Sequence, residues 1–167
     1  SLSNASAVFI DYSSFENNWN GWIPNKYETV TAYAVNDPYL TTEWFSQGSY
    51  SVKLRIGDDY GDIGAYSEIY KSFSGIYGWA IILDFRLLGA DGYDGGDRAR
   101  LRVFVDDVLL YESEDIYRLY SKTYNNFELK NSSSNLNKIT IRLVETASGG
   151  GWTDGRYAYI DNIRIRK

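Results

Sequence analysis

From Ser49 to Ile56 every second residue is aromatic or aliphatic: Tyr50, Val52, Leu54 and Ile56 alternate with Ser49, Ser51, Lys53 and Arg55. Side chains along a strand point alternately to opposite faces. This stretch therefore reads as a strand with one face in a core and the other in water. The same period returns in Gly78–Leu88, where Trp79, Ile81, Leu83, Phe85 and Leu87 point inward and Asp84 and Arg86 outward. It returns in Ala99–Val105, with Leu101, Val103 and Val105 against Arg100, Arg102 and Phe104, and in Lys138–Glu145, with Ile139, Ile141 and Leu143 inward. Ala7–Tyr12, Lys26–Val35, Tyr66–Phe73, Val108–Tyr111 and Phe127–Lys130 are further candidates, and Asp106-Asp107 reads as a tight hairpin turn. Asp115–Lys122 fits a helical turn or an irregular crossing. Roughly ten strands at the ~8–12-residue spacing of sandwiches, with no long helical pattern, predict an all-β fold. The expected architecture is a two-sheet antiparallel β-sandwich of the jelly-roll kind.

With 167 residues the chain has the size of one domain with a real core. Ser1–Ser6 reads as a cloning scar or a disordered N-terminus, and 7–167 as a single domain. Seventeen basic against twenty-two acidic residues give a net charge of −5, so no global basic field attracts nucleic acid or an anionic membrane. No stretch approaches the ~20 apolar residues of a membrane span. Without Cys or His, zinc sites, cysteine nucleophiles and Ser-His-Asp triads are unavailable. Asn131-Ser132-Ser133 fits the glycosylation triplet, a pattern common by chance. Sixteen tyrosines suit β-structure and also surfaces that bind by stacking.

The last stretch, Arg156–Arg166, carries a carboxylate in its middle. Its odd positions are Tyr157, Tyr159, Asp161, Ile163 and Ile165, the better candidates for the core face. An ionised carboxylate on that face needs a partner, because burying it alone costs several kcal/mol or more. A hard cation held by oxygens, most often calcium, is one solution. A salt bridge to an arginine, an exposed place at the strand's rim, or a bulge that turns Asp161 outward are the others.

Four segments occur in order along the chain: Phe15-Glu16 with Gly21-Trp22, Gly48-Ser49-Tyr50-Ser51-Val52-Lys53-Leu54, Val103-Phe104-Val105-Asp106-Asp107, and Tyr159-Ile160-Asp161-Asn162-Ile163. Together they resemble the β-jelly-roll carbohydrate-binding modules of the galactose-binding-like type, over nearly the whole chain. The resemblance implies a structural calcium joining the N-terminal turn to the last strand. Carried over residue by residue, its side-chain ligands are Glu16 and Asp161, with backbone carbonyls near Ser14 and Ser49. The usual Gly or Asn before Phe-Glu is replaced here by Ser13-Ser14. Such a clamp would close a loop of well over a hundred residues, worth a few kcal/mol in loop entropy. The alternative is that Glu16 caps a turn and Asp161 pairs with an arginine.

The resemblance implies a secreted or cell-surface module that binds polysaccharide or glycan without catalysis, within a larger multidomain protein. Sugar recognition needs flat apolar faces for the C–H side of the ring and planar hydrogen-bonding groups for the hydroxyls. Trp152, in a Gly-rich loop, and Trp44 are candidate platforms, as are Tyr60 and Tyr93. Tyr66, Glu68, Asp84, Arg86, Arg102 and Phe104 would line a concave sheet; a merely solvated face is the plainer alternative. Trp19, Trp22 and Trp79 are assigned to core or staple roles. The acidic loops 57–62 and 91–97 read as turns rather than as a second calcium site, since neither has calcium-loop spacing. No motif marks a catalytic carboxylate pair. The rival functions are a structural, adhesion or viral-coat jelly roll without a sugar site, and a small glycan hydrolase or lyase.

Overall fold

The computed structural model describes residues 9–28, 35–57, 63–91, 96–147 and 155–167, with only the backbone of 132 and 133. Nine strands run in it: β1 (Phe9–Ser13), β2 (Ile23–Tyr27), β3 (Tyr39–Thr41), β4 (Ser51–Ile56), β5 (Tyr66–Gly89), β6 (Arg98–Val105), β7 (Val108–Glu112), β8 (Ser121–Ala147) and β9 (Arg156–Arg166). Every pairing between them is antiparallel. The chain is an all-β jelly-roll sandwich, as the alternation predicts.

The two longest strands belong to both layers. The first part of β5 pairs with β2 and with the last part of β8, which in turn pairs with β6, and β6 with β7. These segments form layer one. The last part of β5 pairs with β9 and with the first part of β8, while β9 also pairs with β4, and β4 with β3. These form layer two, with β1 beside the end of β9. The passage along β5 lies at Gly75 and Gly78, both with positive φ (71° and 65°), between register shifts at Ser72/Ile76 and Tyr77/Trp79. A side chain there would meet the left-handed penalty, and glycine does not. Sequence reading splits each of these long strands in two, because glycine and polar runs interrupt the alternation while the ladder continues.

Inward residues of both layers form one core. Ile69, Leu101, Val103, Ile139, Ile141 and Leu143 of layer one meet Val52, Leu54, Ile81, Leu83, Phe85, Leu87 and Ile160 of layer two, all essentially buried. Trp22 and Trp79 are buried as expected, and Trp19 packs against the core. Trp22 Nε1 donates to Ser13 Oγ at 2.9 Å, and Trp79 Nε1 to the Ser134 carbonyl at 3.0 Å, so both indoles are satisfied. The hairpin between β6 and β7 turns on Asp106 and Asp107 with φ of 50° and 64°, the primed turn that suits strand twist.

Two expectations change. The predicted strand 26–35 overlaps β2 only at Lys26 and Tyr27, and 29–34 lie outside the described residues. The odd face of the last strand is not the core face throughout. Ala158 and Ile160 are in the core, then Ile163 and Ile165. The switch occurs at Asp161-Asn162, where Asn162 takes φ 52° and the β5 register shifts. A bulge re-aims the strand by one residue. Tyr157 and Tyr159 thus lie on the outer side, and Asp161 with them.

Leu101→Ala should lower stability by ~2–5 kcal/mol, the cost of a core cavity, whereas Leu109→Ala, at a position 48% exposed, should cost less than ~1 kcal/mol. Urea denaturation of the two variants checks the layer assignment; equal losses would contradict it.

Candidate functional site

The outer face of layer one is built in rows. The registers place Tyr27, Tyr66 and Val144 in one row, Asn25, Glu68, Arg142, Arg102 and Glu112 in the next, and Ile23, Tyr70, Thr140 and Phe104 in a third. At its centre the Arg142 guanidinium lies 4.0 Å from the ring centroid of Tyr66 and 4.8 Å from that of Phe104. Cation–π contact holds it over both rings. Arg142 Nε donates to Glu68 Oε2 at 2.7 Å, and Asn25 Nδ2 donates to Glu68 Oε1 at 2.9 Å. Glu68 is 5% exposed, so these charge-assisted bonds compensate its burial. Tyr27 stacks on Tyr66 at 5.4 Å and stays half exposed. The face thus presents aromatic planes beside fixed donors and acceptors, the two ingredients of sugar recognition.

A second constellation joins the chain's distant parts. Glu16 accepts the Ser49 N–H at 2.9 and 3.0 Å and the Tyr50 N–H at 3.1 Å. Asp161 Oδ2 accepts the Ser46 and Gln47 N–H groups at 2.8 and 3.0 Å and the Ser46 hydroxyl at 3.1 Å, and Oδ1 accepts the Asn162 N–H at 2.7 Å. Both predicted ligands thus grip the same loop between β3 and β4. Burial pushes the Asp161 carboxyl up, and the N–H groups of Gln47, Ser46 and Asn162 partly oppose this. Asp84 stands opposite Asp161 on β5. Its carboxylate accepts from the Ser46 hydroxyl at 2.6 Å, the Asn126 N–H at 2.7 Å, Asn162 Nδ2 at 3.0 Å and Arg164 at 3.2 Å.

Of the predicted sugar contacts, Tyr66, Glu68, Arg102 and Phe104 come together on the layer-one face. Asp84 does not join them: it is 4% exposed, beneath the loop between β3 and β4. Its outward alternation is real, but that loop covers it. Arg86 and Trp44 lie on layer two, where Arg86 pairs in register with Tyr159 and the Trp44 ring is 6.2 Å from that of Tyr159. Trp152, Tyr60 and Tyr93 lie outside the described residues. Ser49 meets Glu16 through its N–H, and Ser14 stands two residues before Glu16 in the turn. Arg142, Asn25 and Tyr27 were not singled out from sequence. The outward position of Arg142 between Ile141 and Leu143 was the available signal.

For a cation, the donor set is oxygen-rich. The carboxylates of Glu16 and Asp161 converge on one loop; Glu16 Oε2 and Asp161 Oδ1 each receive one N–H and keep a lone pair, whereas Glu16 Oε1 already receives two donors and Asp161 Oδ2 three. Asn162 Oδ1, next to Asp161, is a buried oxygen without a hydrogen-bond partner among the described residues. Hard oxygens of this kind fit calcium. Among the described residues no three His, Cys, Asp or Glu side chains form a metal cluster, so backbone and amide oxygens would have to complete the shell.

No protein-family model matches the chain, and no curated protein matches it in sequence. Solved structures do match. The CBM27-1 module of Caldicellulosiruptor saccharolyticus in complex with mannohexaose is 11% identical, over 93% of this chain and 95% of that one, with a TM-score of 0.59. TmCBM61 in complex with beta-1,4-galactotriose is 16% identical over 93% and 95%, with a TM-score of 0.49. A cyclase from Fischerella sp. TAU is 14% identical over 92% and 86%, with a TM-score of 0.48. The chain shares the jelly-roll fold of carbohydrate-binding modules.

Gly48→Ala tests the grip on the loop. A Cβ at Gly48 would stand 2.1 Å from Glu16 Oε1, and φ there is +73°. The variant should lose ~2–4 kcal/mol through strain and a displaced carboxylate. An unchanged melting temperature would show that the Glu16 contact contributes nothing.

Proposed function

We propose that this chain is a non-catalytic carbohydrate-binding module that takes a glycan on the outer face of layer one. The observation that carries this reading is the Arg142 guanidinium packed over the Tyr66 and Phe104 rings, beside the half-exposed Tyr27. A pyranose C–H face would lie on the half-exposed Tyr27, which Tyr66 and Arg142 back in turn, and ring hydroxyls would meet Arg142, Asn25 and Arg102. A rigid, preorganised platform loses little entropy on binding. Fold likeness to a module solved with mannohexaose supports the class of ligand without naming it. A reading as hydrolase or lyase has less support. A glycosidase needs one carboxylic acid kept protonated opposite a second carboxylate. On this face hydrogen bonds from Arg102 and Arg100 hold the Glu112 carboxyl below its usual range.

The module reading extends to an extracellular place within a larger secreted or cell-surface protein. Among the described residues no helix is long and apolar enough to cross a membrane. The reading also includes a structural calcium held by Glu16 and Asp161, with carbonyls near Ser14 and Ser49 and the amide oxygen of Asn162. Bound there, it would neutralise two carboxylates and lower the cost of burying Asp161. The chain's own part is to bring Glu16, from the turn after β1, and Asp161, from β9, onto one loop.

Affinity electrophoresis against mannan, galactan, xylan, glucan, polygalacturonate and alginate tests the glycan reading. At least one polymer should retard the protein, and Tyr27→Ala should weaken that by ~10-fold or more, the loss of a stacking platform. No retardation by any polysaccharide would favour a structural or adhesion role. A chelator should lower the melting temperature by several degrees, on the order of one to two kcal/mol. Added calcium should restore it, and identical melting curves would remove the metal.

A further inference from the structure

We infer that the layer-one face is built for an acidic glycan, with a sugar carboxylate seated between Arg142 and Arg102. The inference rests on the glycan reading above and adds the chemical class of the ligand.

Arg142 on β8 and Arg102 on β6 are direct cross-strand partners. Both point away from the core, since their neighbours Ile141, Leu143, Leu101 and Val103 are buried. Like charges directly opposite each other destabilise a sheet. A carboxylate flanks each: Glu68 stands opposite Arg142 on β5, and Glu112 opposite Arg102 on β7. The row therefore runs acid, base, base, acid across four strands.

Both carboxylates engage the outer edge of their arginine. Glu68 accepts from Arg142 Nε at 2.7 Å and Glu112 from Arg102 Nε at 2.6 Å. Glu112 is further occupied by Arg100, whose Nη1 donates to it at 2.6 Å. Among the described residues the Nη groups of Arg142 and Arg102 have no hydrogen-bond partner. These side chains are 27% and 31% exposed, so the unused N–H donors are within reach of a ligand.

A guanidinium with a free fork matches a carboxylate in plane and spacing. A sugar hydroxyl would accept one bond and leave the repulsion between the two cations untouched. A carboxylate accepts several and offsets that repulsion. The ring that carries it would lie toward the half-exposed Tyr27 on β2, two strands from Arg142. Each arginine already has an acidic partner, so the face offers aimed donors rather than a net positive field. Binding should therefore persist at physiological ionic strength, unlike non-specific attraction of a polyanion.

The test compares polygalacturonate, alginate and glucuronoxylan with their carboxyl-reduced forms by calorimetry on the purified chain. At least one acidic polymer should bind about 10-fold or more tightly than its reduced counterpart, as charged bidentate bonds imply. Arg142→Gln should bring that ratio close to one. Arg102→Lys, which keeps the charge and removes the fork, should do the same with an unchanged melting temperature, so a folding defect in one variant does not decide the matter. Reduced polymers binding as tightly as the acidic ones would overturn the carboxylate seat and leave the glycan reading standing. Equal binding of dextran sulfate and the uronates would also overturn it, in favour of a general anion site. Binding of no polymer, acidic or neutral, would remove both readings together.

Discussion

The antiparallel ladder between β5 and β8 is the constraint on which the rest depends. These strands run through both layers, so one set of registers places the residues of the whole sandwich. On the layer-one side the ladder puts Glu68 opposite Arg142, and β6 then puts Arg102 opposite Arg142. On the layer-two side β5 puts Asp84 opposite Asp161. A slip of one residue would turn each of these groups to the other side and bury the charges in the core. The site is therefore a property of register more than of any loop.

Charge is handled differently on the two sides. On layer one, carboxylates and guanidiniums meet edge to edge in half-open rows, where exposure limits what each pair contributes. On layer two, Asp84 and Asp161 lie beneath a loop and are compensated largely by backbone N–H groups and hydroxyls. Their anchoring value comes from leaving few donors unmet, since a buried unpaired group costs more than a paired one returns. The first arrangement leaves donors for something else to use; the second has donors directed into the protein.

Period-two alternation made the fold class and most of the core legible. Val52, Leu54, Ile81, Leu83, Leu101, Val103, Ile139 and Ile141 are buried where the alternation places them. The turn at Asp106-Asp107 was equally visible. The continuity of β5 and β8 was not, because long-range pairing carries β5 across Gly75 and Gly78 and β8 across the polar run 131–135, which read as ends. The face switch in β9 was also hidden, since a bulge leaves no compositional mark beyond an Asn able to take positive φ. For the site, alternation identified Tyr66, Glu68, Arg102 and Phe104 as outward, but outward did not mean exposed at Asp84. Nothing local in the sequence tells that 44–50 folds over that position. Arg142 went unnoticed because its importance lies in what stands on either side of it, which only cross-strand register reveals.

The central place of β9 has a consequence for how the molecule is made. It lies between β4 and β5 and also supports β1, so it is the middle of layer two, yet it is the last strand in chain order. During synthesis the earlier strands of that layer must wait, unpaired along those edges, until β9 leaves the ribosome. Closure is thus a late event between segments far apart in sequence, the kind of topology that folds slowly. In that interval the open edges of β4 and β5 are where a chaperone, or a second nascent chain, would find a hold.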